Sequence, residues 1–239
     1  MYTEENGYIY DKSLKEKVIE LSDILIELDM YVVIDWHILS DGDPMRHIEE
    51  SKLFFDEISL KYADCPNVIY EICNEPNNVT WENSIKPYAN QIIPIIRKNS
   101  PNSLIIVGTP TWSTEIDEVI SSSLDFDNIL YSCHFYAGTH KTDIRNRIQK
   151  VLNKGLCVII SEWGTTDLSG NGNLSLDSTN EWLDFLEERN ISWINWSFSN
   201  KNESSAILNP VNITDPMEID NNLSQSGLFI KSKISTKVE

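Results

Sequence analysis

Basic side chains are scarce in this chain, which has 19 Lys and Arg against 37 Asp and Glu. The net charge of −18 repels phosphate backbones and anionic lipid, so neither nucleic acid nor a membrane surface is expected as a partner. Long hydrophobic runs are also missing, because no apolar stretch approaches the roughly 18 residues that a transmembrane helix needs. An uncharged partner, such as a sugar, is compatible with this acidic surface.

Glycine and cysteine are also few, with nine and four residues. The absence of G-x-G-x-x-G and of a P-loop argues against nucleotide binding, and the absence of G-x-S-x-G argues against a serine nucleophile. Cys73, Cys133 and Cys157 lie in predicted strands and Cys65 in a loop, with no C-x-x-C spacing, so buried free thiols are expected. The polar N-terminus shows no signal peptide, which indicates a cytoplasmic protein or a natural N-terminus upstream of Met1.

Apolar runs that alternate with helical patterns dominate the rest of the chain. Such runs are typical of strands buried on both faces of a parallel sheet with right-handed crossovers. A closed barrel of this kind has eight strands, so the sequence predicts an α/β fold, either a (β/α)8 barrel without about two N-terminal strands or an open sheet. We predict one domain over residues 1–239. The predicted strands are Tyr31–Ile34, Val68–Ile72, Leu104–Val107, Ile129–Phe135, Leu156–Ile160 and Ile191–Trp196.

Helical periodicity fills the gaps between these runs, beginning with the apolar repeat from Leu14 to Leu28. The polar segment Asn200–Gln225 predicts a loop over the mouth of the sheet. The other predicted helices are Phe54–Tyr62, Ile85–Ile96, Ile144–Leu152, Trp182–Leu186 and Leu228–Ile234.

Two glutamates end apolar runs and suggest a pair of catalytic carboxylates. Glu75 follows the run from Val68, and Glu162 follows the run from Cys157. In α/β proteins the C-terminal end of a strand lies at the mouth of the sheet, where catalytic residues gather. Cleavage of a glycosidic bond needs one protonated acid at the leaving oxygen and one carboxylate at the anomeric carbon. The two glutamates are candidates for these roles.

A metal site is an alternative use of the same strand ends. Asp35, His37, His134 and Glu162 could be ligands, but hydrolytic zinc sites usually have closely spaced ligands such as two histidines at helical spacing. Neither Asp35/His37 nor His134/His140 matches such a motif, so we expect neither a metal nor another cofactor. Each histidine could also be a hydrogen-bonded residue that caps a strand.

Tryptophans near the strand ends could stack on sugar rings, although each could equally be a core residue. Trp182 and Trp193 are assigned to the core. The candidates for stacking are Trp36, Trp81, Trp112, Trp163 and Trp196.

Segments at the strand ends carry a resemblance to a known family. They are Ile72-Cys-Asn-Glu-Pro-Asn, His134-Phe-Tyr-Ala-Gly-Thr-His, Ser161-Glu-Trp-Gly-Thr and Asn195-Trp-Ser-Phe-Ser-Asn-Lys. With them the chain resembles glycoside hydrolase family 5, specifically its bacterial endo-β-1,4-glucanases (cellulases), over essentially its whole length. The resemblance implies a secreted, endo-acting, retaining hydrolase of β-1,4-glucosidic bonds in cellulose or related β-glucans. A related β-glycanase acting on mannan, xyloglucan or mixed-linkage glucan, and an inactive glucan-binding fragment, stay open as alternatives.

The resemblance also implies roles for individual residues. Glu75 matches the proton donor (acid/base), Glu162 the nucleophile, Tyr136 the tyrosine that orients the nucleophile, and Asn74 the residue that holds the sugar 2-hydroxyl. The other substrate-binding matches are Tyr2, His37 and His134 of the cleft, Leu168 and Ser169 of the loop after the nucleophile strand, the stacking Trp196, and the polar pair Lys201 and Glu203.

The resemblance begins part-way through the family's fold. The family carries an arginine just ahead of the position of Tyr2 and a further cleft histidine on its first strand, and both would precede Met1. We therefore expect an N-terminally truncated chain in which strand Tyr31–Ile34 has an unpaired edge. Without the arginine, Glu162 would lack a positive neighbour that favours its ionised form.

Overall fold

The computed structural model describes residues 1–235, in which parallel strands alternate with helices. The six strands are hydrogen-bonded in chain order. Each of them overlaps one of the predicted runs, which confirms the α/β fold class with six strands of a (β/α)8 barrel. The strands are β1 (Val32–Asp35), β2 (Val68–Glu71), β3 (Ile105–Val107), β4 (Ile129–Tyr136), β5 (Val158–Gly164) and β6 (Trp193–Asn195).

Helices connect successive strands, as the apolar periodicity predicts. Within residues 1–235, no helix combines the length and the apolar composition needed to cross a membrane. The helices are α1 (Leu14–Glu27), α2 (Ile48–Lys61), α3 (Lys86–Asn99), α5 (Thr142–Leu152), α6 (Leu176–Glu187) and α7 (Gln225–Ser235). The segment α4 (Pro110–Ser113) is a short turn in which Thr111, Trp112 and Ser113 have positive φ, and it is not a regular helix.

Short helical segments were not predicted, because each is too brief to show a 3.6-residue repeat. Trp81–Ile85 is a π-helix that precedes α3, and Ile116–Ile120 is a 3-10 helix. The predicted loop Asn200–Gln225 is mostly irregular but contains the 3-10 turns Pro216–Glu218 and Asp220–Asn222.

Burial on both faces explains the apolar runs of the inner strands. Every residue of β3 and of β5 is buried, as expected for parallel strands covered on both sides. The residues of β6 are only half-buried or exposed, so the prediction of a doubly covered strand is wrong there.

The chain divides into two compact units. The first contains Met1–Cys133 and Arg147–Ile159, and the second contains His134–Asn146 and the residues from Ile160 onward. The assignment of residues 1–239 to a single domain stays a prediction.

An aromatic cluster forms part of the core of the first unit. The Phe54 ring centroid lies 5.4 Å from that of Trp36 and 5.3 Å from that of Phe55. Tyr8 packs edge-on against Trp36 at 5.7 Å. All four side chains are at most 6% exposed, so the burial of these large rings contributes much of the local stability.

The core of the second unit contains a stack of aromatic rings. Phe135 lies 3.8 Å from Trp182 and 5.4 Å from Trp163, between ring centroids. Trp182 is fully buried, and its Nε1 donates to the His140 carbonyl oxygen at 2.9 Å. The sequence-based assignment of Trp182 to the core is confirmed.

Other tryptophan assignments need correction. Trp36, Trp81 and Trp163 are fully buried, so they have no face to offer to a sugar. Trp193, assigned to the core, is only half-buried and packs edge-on against Trp163. Position at a strand end does not reveal towards which side of the sheet a side chain points.

The four cysteines, all among the described residues, form no disulfide bond, as predicted, but only two of them are buried. Burial raises the pKa of the Cys73 and Cys133 thiols, which makes them poor nucleophiles. Cys65 is half-buried, and Cys157, which precedes the first residue of β5, is exposed. The prediction of a buried thiol is therefore wrong for Cys157.

Residues 1–3 pair with the chain at and just beyond the end of β1, whereas the open edge expected along Tyr31–Ile34 stays a prediction. The Met1 amino group donates to the Asp35 carbonyl oxygen at 2.7 Å, and the His37 N–H donates to the Met1 carbonyl oxygen at 2.9 Å. The Thr3 N–H donates to the His37 carbonyl oxygen at 3.2 Å. Residues 1–3 therefore extend the sheet beyond β1 as a short parallel bridge.

We expect Trp182→Ala to lower the free energy of unfolding by about 3–5 kcal/mol, because it removes a fully buried ring and leaves a cavity. Denaturant titration followed by tryptophan fluorescence and circular dichroism measures the change. Met217→Ala is the control, since this side chain is 83% exposed and should shift stability by no more than about 0.5 kcal/mol. Equal effects of the two substitutions would contradict the assignment of the ring stack to the core.

Candidate active site

The segment after β2 carries Glu75, the first of the two predicted catalytic carboxylates. β2 ends at Glu71, and the half-buried Glu75 follows in an irregular segment. Gly108 approaches this segment so closely that a Cβ atom there would lie 2.2 Å from the Cys73 carbonyl oxygen and 2.8 Å from that of Asn74. Only glycine permits this approach, so Gly108 helps to set the path of the chain into Glu75.

His37 connects the Asn74 side chain to Asp35. Its Nδ1 lies 2.5 Å from Asp35 Oδ2, and its Nε2 lies 3.3 Å from Asn74 Nδ2. An amide nitrogen can only donate, so Nε2 accepts and the ring proton resides on Nδ1, facing Asp35. Asn74 Nδ2 also donates to the Ile38 carbonyl oxygen at 3.5 Å. These contacts orient the amide predicted to hold a sugar hydroxyl.

Tyr2 belongs to the same cluster of side chains. Its ring packs edge-on against His37 with 4.5 Å between centroids. The neighbouring Thr3 donates through Oγ1 to Asp41 Oδ2 at 2.7 Å, which fixes the N-terminal residues on the segment after β1. The structure thus brings Tyr2, His37 and Asn74 together within the first unit.

Glu162, the second predicted carboxylate, lies in β5 and is 8% exposed. The Tyr136 hydroxyl, at the end of β4, donates to Glu162 Oε1 at 2.9 Å. A Cβ atom at Gly164 would lie 2.5 Å from Tyr136 Cε1, so the absence of a side chain there allows the ring to lie against β5. This hydrogen bond fixes the orientation of the Glu162 side chain.

His134 contacts the residue that precedes Glu162. It is 1% exposed, and its Nε2 lies 2.9 Å from Ser161 Oγ. The predicted cleft histidine is therefore a buried group with a defined hydrogen-bond partner on β5, which suits a positioning role.

Trp196 and Lys201, both predicted to contact the sugar, are neighbours in the second unit. Lys201 Nζ lies 5.2 Å from the centroid of the half-buried Trp196 ring, within the range of cation–π attraction. The Glu203 N–H donates to the Lys201 carbonyl oxygen at 2.8 Å, which places the two predicted polar contacts in one turn.

Ser169 and Leu168 lie in the loop after β5 and are both exposed. The Ser169 N–H and Oγ donate to Asp167 Oδ1 at 2.9 and 2.5 Å, and these bonds lower the pKa of Asp167, the side-chain bond most strongly. The Asn171 N–H donates to Ser169 Oγ at 3.2 Å. Because the Ser169 hydroxyl donates its proton to Asp167, it can form a hydrogen bond with a sugar only as an acceptor. Leu168 is 66% exposed and offers an apolar contact.

Sequence reasoning missed two buried carboxylates in the first unit. Glu71 and Asp41 are 4% and 6% exposed. Glu71 lies opposite Asp35 in the parallel register of β1 and β2, and Asp41 accepts from the Leu39 N–H at 2.8 Å. An acidic residue inside the apolar run Val68–Ile72 was the available signal for Glu71.

Comparison with known proteins identifies relatives of the whole chain. A family model described as "Cellulase (glycosyl hydrolase family 5)" matches residues 1–202. Endoglucanase A of Evansella cellulosilytica is 52% identical over 237 residues, which cover 98% of this chain and 48% of the relative. An endoglucanase of Clostridium saccharobutylicum is 50% identical over 236 residues, 98% of this chain and 53% of that protein. The chain thus spans about half the length of these curated relatives.

Solved structures of similar fold agree with this result. A thermostable, halotolerant GH5 cellulase from an Icelandic hot spring isolate is 42% identical with a TM-score of 0.94, covering 99% of this chain and 77% of the other. A catalytic-domain variant of Thermobifida fusca endoglucanase Cel5A, solved with cellotetraose, is 33% identical with a TM-score of 0.91. The match covers 98% of this chain and 79% of that structure.

We expect Ser169→Ala to raise the pKa of Asp167 towards its ordinary value, because the lost hydroxyl bond favours the ionised carboxylate. Carboxyl-carbon NMR titration measures this shift. Asp11 is a matched control: Ser13 donates to it through N–H and Oγ at 2.9 and 2.6 Å, and its pKa is also lowered. Its titration should be unchanged in Ser169→Ala. An unmoved Asp167 titration would show that the hydroxyl bond is not formed in solution.

Proposed function

This chain belongs to glycosyl hydrolase family 5, the cellulase family, and we propose that it cleaves internal β-1,4-glucosidic bonds of cellulose or a related β-glucan with retention of anomeric configuration. In this proposal Glu162 is the nucleophile and Glu75 is the proton donor. The mechanism uses two carboxyl groups and water and requires neither a metal nor another cofactor.

The observation that carries the proposal is the hydrogen bond from Tyr136 to Glu162. A nucleophile accelerates reaction when it is held close to its attacking geometry. The 2.9 Å bond supplies such an orientation to a carboxylate that is 8% exposed. Its place near the C-terminal end of a parallel strand is where enzymes with this fold carry their catalytic groups.

Two displacements at one carbon complete the proposed reaction. First, a Glu162 oxygen attacks the anomeric carbon while the bond to the leaving oxygen breaks and Glu75 gives that oxygen its proton. Then Glu75 takes a proton from a water molecule, which attacks the same carbon and releases Glu162. This course requires carboxyl groups about 5–5.5 Å apart, whereas inversion would require about 6.5–9.5 Å.

The surrounding side chains support a sugar as the substrate. The Asn74 amide, oriented by His37, suits the hydroxyl beside the anomeric carbon, and the half-buried Trp196 ring beside Lys201 suits the apolar face of a pyranose. An uncharged glucan also tolerates the net charge of −18. We assign further substrate contacts to Tyr2, His134, Leu168, Ser169 and Glu203.

Cellulose or a related β-glucan is the proposed polymer. The Thermobifida fusca relative was solved with cellotetraose, which supports a β-1,4-linked glucan here. Because such a polymer does not cross membranes, we propose that the protein acts outside the cell.

A panel of cellulose, mixed-linkage glucan, xyloglucan and mannan, with released reducing ends as the readout, distinguishes a cellulase from a related β-glycanase. Binding without release of reducing ends from any of them would indicate a non-catalytic glucan-binding fragment.

We expect Glu75→Gln to lower kcat/KM on carboxymethylcellulose by about 10²–10⁴-fold, because the leaving oxygen loses its acid. Glu162→Ala should lower it at least as far, since no covalent intermediate can form. Reducing-end assays measure both effects. Glu188→Gln is the control, because this carboxylate is 72% exposed at the end of α6 and should leave turnover unchanged.

Rescue by azide separates the two roles. In Glu162→Ala, azide can occupy the space of the lost carboxylate and yield a glycosyl azide of inverted configuration, because only one displacement occurs. In Glu75→Ala, azide should instead intercept the glycosyl-enzyme and yield a product of retained configuration. Wild-type turnover in either glutamate variant, or the same product configuration from both, would refute the assigned roles.

We expect Tyr136→Phe to lower kcat/KM by about tenfold or more, because a hydrogen bond to a charged group is worth about 1.5–3 kcal/mol. Tyr62→Phe is the matched control, since it removes a similar tyrosine bond to Asp23 Oδ1 of 2.8 Å between α2 and α1. It should lower thermal stability but leave kcat/KM intact. Equal kinetic losses in both variants would refute a specific role for Tyr136.

A further inference from the structure

A left-handed segment follows β3 and precedes the 3-10 helix Ile116–Ile120. Thr111, Trp112 and Ser113 have φ values of +56°, +53° and +57°, in a region that residues other than glycine seldom adopt. Such conformations persist where the surrounding structure imposes them, and they concentrate at functional sites. The contacts of this segment therefore identify what it holds in place.

Two hydrogen bonds from the segment reach the chain on either side of Glu75. The Trp112 N–H donates to the Pro76 carbonyl oxygen at 3.0 Å. Ser113 Oγ donates to the Asn74 carbonyl oxygen at 2.9 Å. The backbone immediately before and immediately after Glu75 is thus held by consecutive residues of one turn.

The Ser113 hydroxyl also joins this turn to the end of β3. It accepts from the Thr109 N–H at 3.1 Å, and Thr109 Oγ1 donates to the Ser132 carbonyl oxygen of β4 at 3.0 Å. Ser113 and Thr109 are fully buried, so water cannot readily replace either contact. The hydroxyl is therefore one link, beside the bond from the Gly108 N–H to the Cys73 carbonyl oxygen at 3.1 Å, between the end of β3 and the segment carrying Glu75.

We propose that Ser113 is a positioning residue for Glu75, and that its hydroxyl holds the Glu75 backbone where the carboxyl group can protonate the leaving oxygen. This inference rests on the role of Glu75 proposed above. Proton transfer requires the acid within hydrogen-bond reach of the leaving oxygen, and a shift of about 1 Å can cost about 10²-fold in rate. Ser113 itself touches neither the sugar nor the proton.

Leaving-group dependence tests the proposal. With cellotetraose the departing sugar oxygen needs a proton, whereas the dinitrophenolate of 2,4-dinitrophenyl β-cellobioside departs without one. We expect Ser113→Ala to lower kcat/KM about tenfold on cellotetraose and less than about twofold on the dinitrophenyl substrate. The comparison of the two substrates in one preparation cancels any loss of folded protein.

Two further variants define the cause. Ser113→Gly removes the hydroxyl while tolerating the positive φ, so the same change in the substrate ratio assigns the effect to the hydrogen bonds. Thr114→Ala removes a hydroxyl of the same turn that donates to the Thr111 carbonyl oxygen at 2.6 Å, and it should keep the wild-type ratio. The inference alone would be overturned if Ser113→Ala kept the wild-type ratio of kcat/KM on cellotetraose to kcat/KM on the dinitrophenyl substrate. The same conclusion would follow if Thr114→Ala changed that ratio as much as Ser113→Ala does. A wild-type chain inactive on both substrates would overturn the proposed function and this inference with it.

Discussion

Parallel pairing of the strands is the constraint on which the candidate site depends, because each strand then ends beside the end of its neighbour. The register places Asp35 of β1 opposite Glu71 of β2, and Trp163 of β5 opposite Asn195 of β6. Residues that follow these strand ends therefore lie at the same edge of the sheet, outside the apolar interior, where their polar side chains can form hydrogen bonds with one another. The contacts of His37 with Asp35 and Asn74 are one result.

Each candidate carboxylate is positioned by residues from a neighbouring strand or the segment after it. Glu75 lies on a segment that Gly108 approaches so closely that a Cβ atom there would clash, and the turn after β3 holds this segment through hydrogen bonds to its carbonyl groups. Glu162 is held through its side chain by Tyr136 of β4. A side chain that is held in place in advance loses little conformational freedom on reaching the transition state. The structure therefore holds the backbone on either side of Glu75 and the side chain of Glu162 in defined positions.

Particular residues show where sequence reasoning succeeded and where it failed. The apolar runs located all six strands, because burial on both faces leaves a continuous hydrophobic signal. The same reasoning assigned Trp182 correctly to the core, but it named Trp36, Trp81 and Trp163 as candidates for stacking on a sugar although they are buried. It also missed Glu71 and the turn at residues 111–113, because burial of a charge and a left-handed backbone both depend on neighbours distant in the chain.

The sequence by itself determined the strand–helix order, the family and the identity of the residues at the strand ends, since hydrophobic period and local motifs are properties of contiguous residues. Only the tertiary structure decided which tryptophans face inwards and that Met1–Thr3 pair with the chain just beyond β1, at His37. It also decided that Ser169 binds Asp167 and that Ser113 reaches the carbonyl group before Glu75. These outcomes depend on side-chain direction and on hydrogen-bond partners, many of them far apart in the chain, which the folded backbone fixes.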